Sequence, residues 1–192
     1  MTSIQQRDAQ SVLAGIDELL PNLRARAQET EDLRRIPDAS VAELEEVGFF
    51  KLVQPEQWGG LQSDPTLFFE AVRRLASACG STGWAMGILG VHNWHLAQFT
   101  QQAQEDVWSE DPAVRVSSSY APMGAGVVTD DGDGYIVNGA WRWSSGCDHA
   151  TWTFVGGPVI KDGRPVDFGS FLIPISDYNI VDDWFVVGLK GT

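Results

Sequence analysis

Residues 81–99 read STGWAMGILGVHNWHLAQF, a run without one Asp, Glu, Lys or Arg. Its spacing predicts a helix that is apolar all round, and such a helix should lie buried between other elements. Three polar side chains sit in it all the same: His92, Asn93 and His95. An unsatisfied polar group in a buried helix costs roughly 1–3 kcal/mol, so each needs a partner. His92 and His95 lie about a turn apart and can share a face. For His95 we expect a core imidazole bonded to a backbone carbonyl. A metal reading of the pair finds no carboxylate or Cys close enough in sequence to complete it, and no metal is expected. His92 is the candidate for chemistry, because a neutral imidazole with a pKa near ~6.5 can accept the proton of a phenol near ~10. Trp84, about two turns earlier, is expected to wall the same pocket.

Around this run the chain has two regimes. Up to about residue 108 the periodicity is helical; from about 113 it alternates, with Gly-rich turns. A first helix over residues 7–30 carries Val12, Leu13, Ile16, Leu19, Leu20 and Leu23 on one face, with a kink at Pro21. Ser40 and Glu43 read as a capping box opening a short helix that ends at Gly48, with Val41, Leu44 and Val47 inward. Residues 49–55 read as extended, and PEQWGG at 55–60 as a turn. Asp64 and Pro65 start a further helix with Phe68, Phe69, Val72, Leu75 and Ala76 inward, and Ser81 should cap the uncharged one. In the second regime, VSSS at 116–119 ends a strand with three hydroxyls. Residues 135–150, YIVNGAWRWSSGCDHA, read as a strand, a turn at Asn138-Gly139, and a second strand carrying Trp141 and Trp143 into Ser144-Ser145-Gly146. An indole beside two hydroxyls at a strand end suits a flat, hydrogen-bonding heteroaromatic ligand such as a flavin. Either indole taken singly reads better as core.

The composition excludes more than it identifies. The chain has 192 residues, 43% hydrophobic and 20% charged, enough for a core in one or two domains. A net charge of −13 argues against nucleic acid and anionic membranes, which need Lys/Arg stripes. No run of apolar residues is long enough to span a bilayer, and MTSIQQRDAQ lacks the apolar region of a signal peptide, so a cytoplasmic location is expected. Cys79 and Cys147 have no partner at metal-site spacing and are expected as free thiols.

The stretch from Tyr135 to Ser145 resembles the flavin-contacting hairpin of the acyl-CoA dehydrogenase fold, PEQWGG resembles that fold's early P-E-x-x-G-G loop, and GLKGT at the end resembles a motif inside its β-domain. The resemblance implies an α+β chain, with residues 1–112 an N-terminal helical domain and 113–192 the first part of a β-domain. The C-terminal four-helix bundle of that fold is absent, so these 192 residues are expected to be part of a longer protein and not a competent enzyme alone. Where dehydrogenases carry Glu-x-x-x-Gly-Ser-Asp for the CoA thioester, this chain has Ser119-Tyr120-Ala121-Pro122-Met123-Gly124.

The chain is instead similar throughout to flavin-dependent monooxygenases of the same fold, the oxygenase components of two-component phenol hydroxylases, and among them to those acting on a 9,10-secosteroid in cholesterol breakdown. Segments carrying the likeness include RRLASACGSTGW, GVHNWHLAQF, SSSYAPMGAGVV and SSGCDHATWTFVGG. It implies reduced FMN (or FAD) and O2 as co-reactants, a separate NAD(P)H-dependent flavin reductase, a phenolic secosteroid hydroxylated ortho to its hydroxyl, and a homotetramer. It also implies residue roles. Trp84, Ser118, Ser119, Tyr120, Trp141, Arg142, Trp143, Ser144 and Ser145 contact flavin, with Ser145 at N5. His92, Ser118 and Tyr120 meet the substrate, and His92 and Ser145 are catalytic. Met86, Leu89 and Met123 could line the pocket but read better as core. An acyl-CoA dehydrogenase, a hydroxylase of another bulky phenol and a non-catalytic assembly module are the alternatives.

Overall fold

The computed structural model describes residues 8–192; the expected helix start at Arg7 lies outside the described residues. Helices come first: α1 (Ala9–Ala25), α2 (Ala27–Leu33), α3 (Asp38–Val47), α4 (Pro65–Ala78), α5 (Gly80–Leu96) and α6 (Gln101–Trp108). Strands follow: β1 (Val116–Ser119), β2 (Gly124–Val128), β3 (Tyr135–Gly139), β4 (Trp152–Lys161) and β5 (Arg164–Pro174). The two regimes of the sequence are thus helices and then one sheet.

β4 organises the sheet. A strand has only two edges, and β5 runs antiparallel along the whole of one. The other edge is shared by β1, parallel over Val116–Ser119, and β2, parallel at Gly126 and Val127. The chain between β1 and β2 carries Tyr120, whose backbone packs against Gly156 of β4, where a Cβ would lie 2.3 Å from the Tyr120 carbonyl oxygen. β3 closes the far side, antiparallel to β2.

The helical core gathers Val12, Ile16 and Leu23 of α1, Leu44 of α3, Phe68 and Leu75 of α4, and Met86 and Leu89 of α5. Leu96, in the last turn of α5, joins a second core with Trp108, Val116 and Phe154. The uncharged helix is apolar on most sides because it packs on α4 along one flank and on β1 along another. It is not wholly buried: Trp84 and Trp94 are about half exposed.

Several local expectations are corrected. The first helix breaks at Arg26, several residues beyond Pro21, which sits inside α1. Ser40 and Glu43 form no capping box: α3 starts at Asp38, and both side chains bind the Arg26 guanidinium, Glu43 through two bonds of 2.7 Å. A tertiary ion pair has taken the groups that a cap would use. α3 does close at Gly48, and Asp64 does cap α4. Phe49–Lys51 is a 3-10 turn, not extended, and Phe69 faces out at 60% exposure. α5 begins one residue before Ser81, whose hydroxyl reaches Glu31 instead of capping. The expected hairpin does not form: Asn138 and Gly139 pair with Ala125 and Gly124 of β2, and Trp141 and Trp143 lie on irregular backbone. Among the described residues no helix is long and apolar enough to cross a membrane.

Candidate active site

The site is built where α5 lies on β1. β1 alternates, so Val116 and Ser118 share a face with Phe154 of β4, while Ser117 and Ser119 point the other way. On the α5 side, His92 bonds the Val116 carbonyl through Nδ1 at 2.7 Å. A carbonyl only accepts, so Nδ1 carries the proton and Nε2 keeps the lone pair. His92 is 3% exposed, and burial pushes its pKa down to about 4. The sequence expectation is corrected twice here. His92 is not an unperturbed imidazole, and the backbone carbonyl expected for His95 belongs to His92.

His95 instead meets the Tyr120 hydroxyl at 2.7 Å through Nδ1. Burial pushes the Tyr120 phenol up to about 12, so it stays protonated, and it is the better donor of the two groups. Tyr120 therefore donates, and His95 is neutral with its proton on Nε2. The rings of His92, His95, Tyr120 and Phe154 form one cluster, Phe154 lying 5.6 Å from His92 and 4.6 Å from His95 between centroids.

On the other face of β1, the serines hold the segment after β3. Ser119 donates to the Arg142 carbonyl at 2.6 Å, and Ser144 donates to Ser117 at 3.0 Å, which donates onward to Thr153 at 3.1 Å. The Trp141 indole is spent on the Gly156 carbonyl at 2.8 Å. Ser119, Trp141 and Ser144 are thus scaffolding bonds, and Arg142 is exposed with its carbonyl tied. Trp143 is different: it is 66% exposed and sits at φ +62, a left-handed conformation that few L residues adopt. Gly146, at φ +77, turns the chain toward α5, where a Cβ would lie 2.9 Å from Leu89. That turn delivers the Ser145 hydroxyl to α5, where the Trp84 indole donates to it at 2.9 Å.

Trp84 and His92 do not line one wall. Two turns of helix bring eight residues round to about 80° past alignment, so Trp84 faces out while His92 faces in. Met86 and Leu89 are core, and Met123 is 39% exposed. The site residues fall into two groups, an outer one of Trp84, Ser145 and Trp143 and an inner one of His92, His95, Ser118 and Tyr120. Sequence reasoning missed His95; its only signal was its spacing from His92.

The turn that follows is fixed to the helical domain. His149 donates from Nε2 to the Ile36 carbonyl at 2.8 Å, and Arg115 donates to the His149 carbonyl at 2.8 Å while pairing with Glu45. Cys79 and Cys147 are free, and burial pushes the Cys147 thiol up to about 11. Among the described residues no cluster of His, Cys, Asp or Glu could hold a metal ion. Two open depressions, of about 480 and 160 Å³, are lined by neither the outer nor the inner group; the smaller one lies against Glu45, Arg115 and His149.

Helices followed by this sheet, with α5 laid on β1, define a class: the chain belongs to the acyl-CoA dehydrogenase family, whose N-terminal domain matches residues 10–113. Within that class it is 76% identical over all 192 residues to the flavin-dependent monooxygenase, oxygenase subunit HsaA, of Mycobacterium tuberculosis, covering 48% of that protein. The crystal structure of HsaA from M. tuberculosis superposes with a TM-score of 0.94 at 75% identity, over 97% of this chain and 48% of that one. An FADH2-dependent resorcinol hydroxylase, oxygenase component, of Rhizobium is 40% identical over 94% of this chain and 43% of its own length. XiaF from Streptomyces, solved with FADH2 and glycerol, gives a TM-score of 0.88 at 27% identity, over 96% of this chain and 46% of that one. The chain therefore spans about half the length of the relatives it matches.

Proposed function

We propose that this chain is the part of a two-component flavin-dependent monooxygenase that holds the flavin edge and the phenol, in an oxygenase that hydroxylates a phenolic secosteroid ortho to its hydroxyl. The observation that carries the reading is His92: a buried imidazole with Nδ1 committed to Val116 and a free lone pair on Nε2, with the Tyr120 ring 6.1 Å away between centroids. A neutral imidazole with an open lone pair can accept a phenol's proton, and with burial holding its pKa at about 4 it keeps that proton only briefly. The likeness to proteins named as an oxygenase subunit and an oxygenase component supports a separate flavin reductase as partner. The secosteroid rests on the whole-chain resemblance, and exposed Trp84, Met123 and Tyr120 suit a bulky apolar ring system. The assembly we expect is a homotetramer in the cytoplasm, with residues 1–112 and 113–192 as its domains.

The outer group fits a flavin by its donor chemistry. Trp143 offers an uncommitted indole face, and Ser145 accepts from Trp84 while keeping its own proton to give to a ring nitrogen. Trp84, Trp143 and Ser145 would hold the isoalloxazine, and bound reduced flavin would supply the electrons for O2 activation. The flavin is reduced FMN or FADH2, the latter being the form in the XiaF complex. The protein's own work is then to exclude water and move a proton. Ser118 and Tyr120 hold the phenol oxygen, His92 Nε2 takes its proton, and electron density shifts onto the ortho carbon.

The test uses protein of the relatives' full length, supplied with reduced FMN or FADH2, O2 labelled with oxygen-18 and a panel of phenols. The reading predicts a catechol carrying one labelled oxygen. Absence of any hydroxylated product, or bleaching of bound oxidised flavin by acyl-CoA, would contradict it.

A further inference from the structure

The buried position that makes His92 a selective acceptor also makes it a poor resting place for a proton. It is 3% exposed, its Nδ1 proton is fixed on a carbonyl, and among the described residues no carboxylate pairs with it; its ring neighbours are His95, Tyr120 and Phe154. An imidazolium formed there must be discharged before the next turnover. Tyr120 lies edge-on to His92 with 6.1 Å between ring centroids, and its hydroxyl is bonded to His95 Nδ1 at 2.7 Å. Exposure rises along this series, from buried His92 to half-buried His95 and a Tyr120 that is 42% exposed.

We propose that Tyr120 and His95 form the proton exit of the site, carrying to solvent the proton that His92 takes from the phenol. This rests on the monooxygenase reading above. The balance is simple and involves no electrons. The phenol O–H bond breaks as an N–H bond forms at His92 Nε2. That proton then passes to the Tyr120 oxygen as the Tyr120 proton passes to His95 Nδ1, and His95 releases its Nε2 proton to water. One proton leaves the substrate, one enters solvent, and each relay group ends neutral once its hydrogens reorient. The titratable groups facing His95 are His92 on its own helix and Tyr120 beyond β1; Phe99 and Phe154 make its other ring contacts. Tyr120 would touch the substrate. His95 acts through it and is a positioning and relay residue.

Two measurements test the exit. The first needs neither flavin nor substrate: the imidazole of His95 is titrated by nitrogen-15 NMR in the wild type and in Tyr120→Phe. A hydrogen bond donated to Nδ1 favours neutral His95, so its loss should raise the His95 pKa. An unchanged or lowered value would overturn the bond on which the relay depends. The second is turnover of the full-length protein with a phenol that the wild type hydroxylates. His95→Ala should slow product formation about 10-fold or more, by the loss of a proton-transfer group. Added imidazole should restore much of the rate and the pH profile should flatten, while the conservative His95→Gln should not recover the rate without imidazole. Unchanged turnover, or slowing that imidazole does not relieve, would overturn the relay and leave His95 as packing. If the wild type hydroxylates no phenol, the functional reading fails instead, and the NMR result still decides whether the Tyr120–His95 bond exists.

Discussion

His92 has its Nδ1 proton committed to the Val116 carbonyl, which leaves Nε2 as the one nitrogen that can meet a ligand. Burial holds its pKa down to about 4, below the ordinary ~6.5. The unfolded chain thus binds this proton at higher pH than the folded one. Its stabilisation is complete above ~6.5 and is lost as pH falls toward 4, by about 3 kcal/mol over the span. His95 and His149 are lowered by burial as well and steepen the same slope. Melting curves of His92→Asn between about pH 6.5 and 4 should therefore decline less steeply than those of the wild type; parallel curves would contradict the burial account. Trp143 poses the complementary case. It is 66% exposed and held at φ +62, so nothing in the fold needs its indole. Trp143→Gly should change stability by less than ~1 kcal/mol, since relief of the left-handed strain offsets the added chain entropy. It should weaken flavin binding in the full-length protein, and an unchanged affinity would leave the exposed indole without a ligand. The residue types of the site were legible in the sequence, because indoles, hydroxyls and imidazoles stand out in uncharged stretches. Their partners were not: that His92 and not His95 meets a carbonyl depends on how α5 is rotated over β1, which spacing alone does not fix.

α5 and the bend at 144–149 are the elements that matter. α5 approaches α4 so closely at Gly83 that a Cβ there would lie 2.6 Å from the backbone of Ala76. Gly83→Ala should cost about 1–3 kcal/mol as an overpacked contact. Thermal melting checks this, and a loss below a few tenths of that would mean the helices have room to separate. The existence and extent of α4 and α5 could be read from periodicity because their apolar pattern runs through several turns. Short-range signals misled where long-range contacts competed. Ser40 and Glu43 have capping-box spacing but serve Arg26, and Ser81 is drawn to Glu31. Asn138-Gly139 looks like a hairpin turn, yet both residues stay in β3 because β2 offers a ladder there.

At the scale of the molecule, the helical and sheet regions are pinned together beside the site. Arg115 donates to the His149 carbonyl, pairs with Glu45 and lies over the Phe50 ring, while His149 reaches the Ile36 carbonyl. Lys51 and Gln54 both donate to the Pro112 carbonyl where the chain passes from α6 to β1. Farther on, Arg34 pairs with Asp182, bonds the Trp184 carbonyl at 3.0 Å and sits over Phe185, drawing the last segment back onto α2. Arg115→Ala should loosen the 144–149 bend while sparing the helical core. Amide exchange read by segment should show lost protection at Cys147 and His149 and unchanged protection in α4, and uniform loss would mean the arginine supports the whole fold. The order of helices before sheet was visible in the sequence because the periodicity changes near residue 110. The pinning was not, since it joins residues far apart in the chain through backbone carbonyls that carry no sequence signal.

The central claim, that α5 supplies the base for a phenol, is tested most directly by His92→Asn in protein of the relatives' full length. Oxygen uptake with reduced flavin but no phenol should match the wild type, because it needs no substrate proton. Hydroxylation should slow by roughly 10²–10⁴-fold, as expected for a lost general base, and the deficit should shrink as pH rises toward the phenol's own pKa. A variant that melts earlier yet transfers oxygen at the wild-type rate per folded molecule would contradict the claim and return His92 to the core.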